Sequence, residues 1–230
     1  MVDKKEQGFR HELKFIISRN QGQILRNSLS GIMPLDPHMK SASYNVRSMY
    51  FDDVYHTCFF ENESGTDPRE KFRIRIYDCD DRFIRLELKM KSCGMTKKLQ
   101  GALSRQQVDT ILSGVPLPDF DQLPTLLKKF ELQRLCRLLK PDIIVDYDRI
   151  PYVYELGNVR ITFDTNIASS HHFDRFFEPT MPKRPILQQD MILMEVKYDE
   201  LLPEAIQSLI SPYTTHRSSF SKFYLCKKYQ

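Results

Sequence analysis

Between Lys71 and Lys98 the stretch KFRIRIYDCDDRFIRLELKMKSCGMTKK sets a cation at nearly every second position, in two runs joined by a short acidic turn. Strand side chains alternate between faces, so Arg73 and Arg75 share one face, as do Arg85, Glu87, Lys89 and Lys91 on the following run. Ile74, Ile76, Leu86, Leu88 and Met90 take the opposite faces. Such a basic face could grip a polyanion, because the arginine fork matches paired phosphate oxygens and lysine adds point charge. A solvated outer face of an ordinary antiparallel sheet would read the same way. The rest of the chain has to decide.

The pattern recurs. Lys14 stands two residues from Glu12, Arg160 shares a face with Thr162 and Asp164, and Lys197 stands two residues from Glu195. If the sheet closes on itself, these faces line a bore and helices cover the outside. Two like charges about 4 Å apart repel by roughly 4 kcal/mol at an effective dielectric near 20. A bore of this kind therefore needs anions in it, and a polyphosphate, charged at every link, is the natural guest. The glutamates could hold a divalent cation that neutralises and orients the phosphates.

The elements that must position these residues follow from periodicity. RHELKFII reads as a strand, and Ser18 caps a helix through Ile24, Leu25 and Leu29. YNVRSMYFDD is a second strand, HTCFFENE a short helix or turn, and the basic hairpin supplies two more strands. Ser104 caps a helix closed at Gly114, and LPTLLKKFELQRLCRLLKP is helical until Pro141. DIIVDYDRIPYVY, VRITFDTNIA and ILMEVKYDE resume the strands, and LPEAIQSLIS and the tail containing Ser221 and Lys222 read as helices. The tally is about seven or eight strands with helices hung on one side. The expected fold is α+β, a closed antiparallel β-barrel with helices packed outside, and one domain over residues 1–230.

Composition narrows the class. With 41% hydrophobic and 28% charged residues the chain can bury a core, and a net charge of +4 makes the placement of cations more informative than their number. Five cysteines without CxxC spacing read as reduced thiols of a cytoplasmic protein. The first residues, MVDKKEQGFRHELK, show no apolar run fit for a signal peptide, and no window resembles a membrane span. Tyr and Phe sit mostly in the apolar phase of the strands rather than interleaved with exposed cations, which argues against nucleic-acid binding.

The ordered set ELKF, RSMYFDD, FRIRIY, LELKMK, DYDR, NVRITFDTNI, LMEVKY and SFSKF resembles the VTC (vacuolar transporter chaperone) domain, the polyphosphate polymerase domain of the triphosphate tunnel metalloenzyme superfamily. The resemblance spans nearly the whole chain. It implies a metal-dependent ATP-polyphosphate phosphotransferase that moves the terminal phosphoryl group of ATP onto a growing inorganic polyphosphate chain. By position it implies Arg73, Arg75, Lys89, Lys91 and Arg149 as catalytic cations. Lys14, Lys98, Arg160, Lys197, Ser221 and Lys222 would be phosphate contacts, and Glu195, with Glu87 as second candidate, the ligand of Mn²⁺ or Mg²⁺. It further implies a membrane-protein partner and a place at the inner face of the membrane. Where simpler members of the superfamily begin ExExK, the first glutamate position here is Arg10, one metal ligand fewer.

Plainer alternatives stand beside several of these residues. Asp146 and Asp148 could hold Arg149 in a local ion pair, Glu195 could simply pair with Lys197, and Ser221 with Lys222 could be a helix surface. His171 and His172 read as solvated loop residues, and His38, His56 and His216 as isolated ones. Asp52 and Asp53 read as a turn signal. In the same bore, water could replace the chain end and give a tripolyphosphatase or nucleoside triphosphatase, or turnover could be lost and a binding module remain. Arg73→Ala and Arg75→Ala are expected to remove activity while leaving the fold intact or slightly more stable, since each relieves repulsion.

Overall fold

The computed structural model describes residues 8–37, 39, 41–214 and 216–229; His38 lies outside them. The strands are β1 (His11–Ser18), β2 (Tyr44–Asp52), β3 (Arg69–Tyr77), β4 (Asp80–Ser92), β5 (Met95–Leu103), β6 (Lys140–Tyr154), β7 (Val159–Ser170), the two-residue β8 (Arg184–Pro185) and β9 (Met191–Tyr198). They form one curled antiparallel sheet in the order β1-β9-β7-β6-β2-β3-β4-β5, with β8 on β7. Six α-helices accompany it among the described residues: α1 (Arg19–Leu29), α2 (Thr57–Glu63), α3 (Arg105–Leu112), α4 (Thr125–Cys136), α5 (Glu204–Ile210) and α6 (Lys222–Lys228). None is long and apolar enough to cross a membrane.

The sheet is open, which corrects the expected closed barrel. Among the described residues the two edges meet where Arg10 and Thr96 exchange two backbone hydrogen bonds of 3.0 and 3.1 Å and the Thr96 hydroxyl donates to Glu12 at 3.1 Å. Past that bridge β5 runs beneath α4, where Leu126 covers Gly101. Leu99 and Leu103 of β5 pack on that helix cluster.

Alternation sorts the side chains. On the convex face Leu25 and Leu29 of α1 and Ile206 and Ile210 of α5 bury against Phe15, Ile161 and Met194. Val108 and Ile111 of α3 and Leu127 and Phe130 of α4 bury against Phe72, Ile74, Leu86 and Leu88. Local signals set the helix starts: Ser18 and Ser104 each form a capping box, with Gln21 and Gln107. The aspartates at the end of β2 are turn-formers as expected, Asp52 accepting the Cys58 and Phe59 amides and Asp53 those of Tyr55 and Thr57.

Helix α6 departs from the expectation that helices pack outside. Phe223 and Cys226 bury with Ile143, Val145 and Leu193, and these alternate in phase with Arg149 and Glu195, so α6 plugs one end of the concave face. Burial of a phenylalanine contributes about 2–3 kcal/mol. That contribution anchors the helix whose first residue, Lys222, enters the polar part of the curl.

Candidate functional site

Strand register assembles the concave face from residues far apart in the chain. Arg73 lies opposite Glu87, Arg149 opposite Asp164, Lys14 opposite Glu195, and Arg160 opposite Lys197. Of these, Lys14, Arg73, Arg149, Glu195 and Lys197 line a cavity of about 560 Å³ that opens beside α2 and α6, a size suited to a small ligand. A second cavity of about 170 Å³ toward Tyr44 and Tyr77 shares Arg73, Arg75, Lys89, Arg149 and Lys197 with the first.

Three carboxylate centres organise the cations. Glu87, fully buried, accepts from Arg73 Nε at 2.7 Å and from Lys98 Nζ at 2.9 Å, with Arg75 Nη1 at 3.9 Å. Glu195 accepts from Lys222 at 2.6 Å, with Lys197 and Arg149 each at 3.3 Å. Beside it Asp164 holds the Arg149 fork through two bonds of 2.7 Å and Lys222 at 2.6 Å. Glu12 accepts from Lys89 at 2.9 Å and lies 3.7 Å from both Lys14 and Lys197.

Burial alone would raise the pKa of each glutamate. Lys14, Lys89 and Lys197 outweigh it at Glu12, Arg73, Arg75 and Lys98 at Glu87, and Lys222, Lys197 and Arg149 at Glu195, so all three stay below the usual carboxylate range. Burial acts first on Lys89 too, bringing it down to about 8 despite Glu12. Among the described residues eight cations (Lys14, Arg73, Arg75, Lys89, Lys98, Arg149, Lys197, Lys222) thus face four carboxylates (Glu12, Glu87, Glu195, Asp164), a surplus of four positive charges. A triphosphate chain carries about four negative charges at neutral pH, so it would balance this paired set, leaving out Arg69, Lys71 and Lys91 of the same cavity.

The expected residues sort as follows. Lys14, Arg73, Arg75, Lys89, Lys91 and Arg149 line the larger cavity, as do Lys197, Ser221, Lys222 and Glu195. Lys98 and Arg160 line only the smaller one, where Arg160 is held by Asp36 at 2.9 Å. Ser221 caps α6, its hydroxyl accepting the Tyr224 amide at 3.4 Å. Arg149 is not paired with its sequence neighbours. Asp146 accepts instead from Arg47 at 2.8 Å and Lys183 at 2.5 Å, and Asp148 from Asn166 at 2.7 Å.

Arg73 does repel Arg75, the largest effect on that guanidinium after burial, but both also face Glu87, and they donate to Tyr50 Oη at 2.7 Å and Tyr147 Oη at 3.2 Å respectively, so each has partners to lose as well as repulsion to relieve. Glu12, Asp164, Tyr50 and Tyr147 have roles here that their local sequence does not announce. Their phase along β1, β7, β2 and β6 is the only signal.

The donor set bears on a metal. Among the described residues no three His, Cys, Asp or Glu side chains gather as a metal site. Glu87 does not fit, because Arg73 and Lys98 already take its two oxygens and Arg75 stands by. Glu195 and Glu12 are held by cations too, Glu195 by Lys222, Lys197 and Arg149 and Glu12 by Lys89, but unlike Glu87 both line the larger cavity, where a divalent ion arriving with substrate phosphates would have to displace a lysine.

Comparison with known proteins places this geometry. No curated protein matches the sequence. Among solved structures, a Bacillus halodurans protein provisionally described as an adenylate cyclase superposes with a TM-score of 0.52 at 15% identity, covering 91% of each chain. A chain of the Schizosaccharomyces pombe Mediator head module superposes with a TM-score of 0.51 at 9% identity, covering 91% of this chain and 98% of that one. Identities this low show a shared fold and nothing about activity. The sequence model of the VTC domain matches residues 9–229. With the curled sheet and its basic concave face, this match establishes that the chain belongs to the VTC domain family.

Proposed function

We propose that the chain is a polyphosphate polymerase, transferring the terminal phosphoryl group of ATP to the end of an inorganic polyphosphate chain. The observation that carries this reading is the surplus of four cations enclosed on one concave face of a VTC domain. Arg73, Arg75 and Arg149 would hold the triphosphate oxygens, with Lys89, Lys197 and Lys222 over the transferred group, where charge spreads in a loose transition state. Divalent metal, held by Glu195 with Glu12 and the phosphates, would supply further charge neutralisation.

The acceptor is a terminal phosphate oxygen that is already ionised. It bonds to the γ-phosphorus as the bond from that phosphorus to the β-bridging oxygen breaks, ADP departs, and no base is required. Water as acceptor would have to lose a proton, and Glu12, Glu87 and Glu195 are poor proton acceptors because their cationic neighbours hold their pKa values down. This favours transfer over hydrolysis. Inorganic polyphosphate and ATP are the proposed partners, with a membrane-protein receiver at the inner membrane face by family analogy.

Incubation of the purified chain with ATP and Mn²⁺, with products resolved on a gel, tests the reading. A ladder of phosphate polymers with stoichiometric ADP is expected. Orthophosphate as the only product would make the chain a hydrolase, and absence of turnover with retained tripolyphosphate binding would make it a binding module.

A further inference from the structure

The cations of the concave face fall into two populations. Those of the interior each meet a carboxylate, as described above. At the mouth beside α2, the bond Arg69 makes among the described residues is to the Thr66 carbonyl oxygen at 2.7 Å. Lys71 donates to Asn62 Oδ1 at 3.2 Å and stands 4.3 Å from the Phe223 ring centre. Lys91 makes no ion pair or hydrogen bond among the described residues.

Register worsens the repulsion, since Arg69 lies directly opposite Lys91 and Lys71 opposite Lys89, an arrangement that destabilises a sheet unless something offsets it. All three line the larger cavity, whose rim there includes Gly65 and Gly94 and so stays wide. The groups around Lys71 are Lys14 on β1, Arg69 on β3, Lys89 on β4, Cys58 and Asn62 on α2, and Phe223 on α6. Burial pushes the Cys58 thiol up to about 12, so it is neutral, and the carboxylate that acts on Lys71 and Arg69, Glu61 on α2, makes no ion pair with either among the described residues.

We propose that Arg69, Lys71 and Lys91 form a separate phosphate subsite at this mouth, which holds the part of a polyphosphate chain extending beyond the three phosphates neutralised by the paired interior. The subsite rests on the polyphosphate reading and gives it a preference for chain length. The occupant is phosphate rather than a nucleobase because the aromatic rings at this mouth are already covered. Phe223 is 2% exposed, and Tyr224 is stacked on Phe59 at 5.2 Å. Burial, then the surrounding cations, brings Lys71 down to about 7, so the mouth gains full charge when an anion arrives.

The test is calorimetric titration of the full chain with tripolyphosphate and, separately, with long-chain polyphosphate, for the wild type, the Arg69→Ala/Lys71→Met double variant and Lys71→Arg. The double variant is expected to keep its tripolyphosphate affinity within about twofold and to lose about tenfold toward the long chain, with a shallower salt dependence. Lys71→Arg, which keeps the charge, is expected to bind both like the wild type. Equal weakening toward both ligands would overturn the subsite by merging these residues with the interior, and no change toward either would make them idle surface charge. A wild type that binds no tripolyphosphate at all would overturn the polymerase reading instead.

Discussion

Arg73→Ala lowers conformational stability by about 3 kcal/mol and phosphoryl transfer by at least about a hundredfold. The stability loss arises at Glu87, which is fully buried and receives Arg73 at 2.7 and 2.6 Å. Removing one partner of a buried pair leaves an uncompensated charge, at a cost of about 3–5 kcal/mol. Lys98 at 2.9 Å remains, which places the expected cost at the lower end of that range. The loss of transfer arises because Arg73 also reaches the cavity that would hold the phosphates. Urea denaturation separates the two effects when combined with Arg73→Met/Glu87→Met, which removes both charges. The double variant recovers part of the stability and none of the activity. An Arg73→Ala variant as stable as the wild type would mean that Glu87 does not depend on this arginine, against the geometry.

Glu195→Gln abolishes the response of turnover to Mn²⁺ and, in the absence of metal, tightens tripolyphosphate binding by about tenfold, ~1.4 kcal/mol. Glu195 receives Lys222 at 2.6 Å and Lys197 and Arg149 at 3.3 Å, so its negative charge competes with the substrate for the same three cations. The amide keeps the shape and removes the charge, raising the positive surplus of the face by one. A carboxylate that also holds the divalent ion should show both effects in one variant. Tighter metal-free binding with an undiminished Mn²⁺ response would leave Glu195 as an organiser of lysines and move the metal elsewhere.

The alternation of Arg73 with Ile74 and of Glu87 with Leu88 shows which residues share a face, and that much of the fold is legible without coordinates. Which side of a sheet faces inward is not, because a solvated basic face and a basic bore carry the same period. Closure is likewise beyond the pattern: edge pairing depends on where β5 goes after Thr96, and its sequence MTKKLQGAL places Lys97 next to Lys98, which breaks the alternation that marks the other strands. The tail SFSKFYLCKK would suit a helix on either side of the sheet. Only the match of Phe223 to Ile143 and Val145, about eighty residues earlier, puts it inside.

The same limit explains the ion pairs. Arg149 sits one residue from Asp148 yet bonds Asp164, fifteen positions away, because the β6–β7 register sets them opposite. Glu12 meets Lys89 across 77 positions, at the seam where the two sheet edges approach, and no local signal marks that contact.

A crystal structure of the chain grown with tripolyphosphate tests the central claim most directly. The account predicts the phosphate chain on the concave face, its oxygens on Arg73, Arg75, Arg149 and Lys222. Tripolyphosphate bound only to the convex surface, with those four residues still closed on Glu87, Asp164 and Glu195, would contradict it.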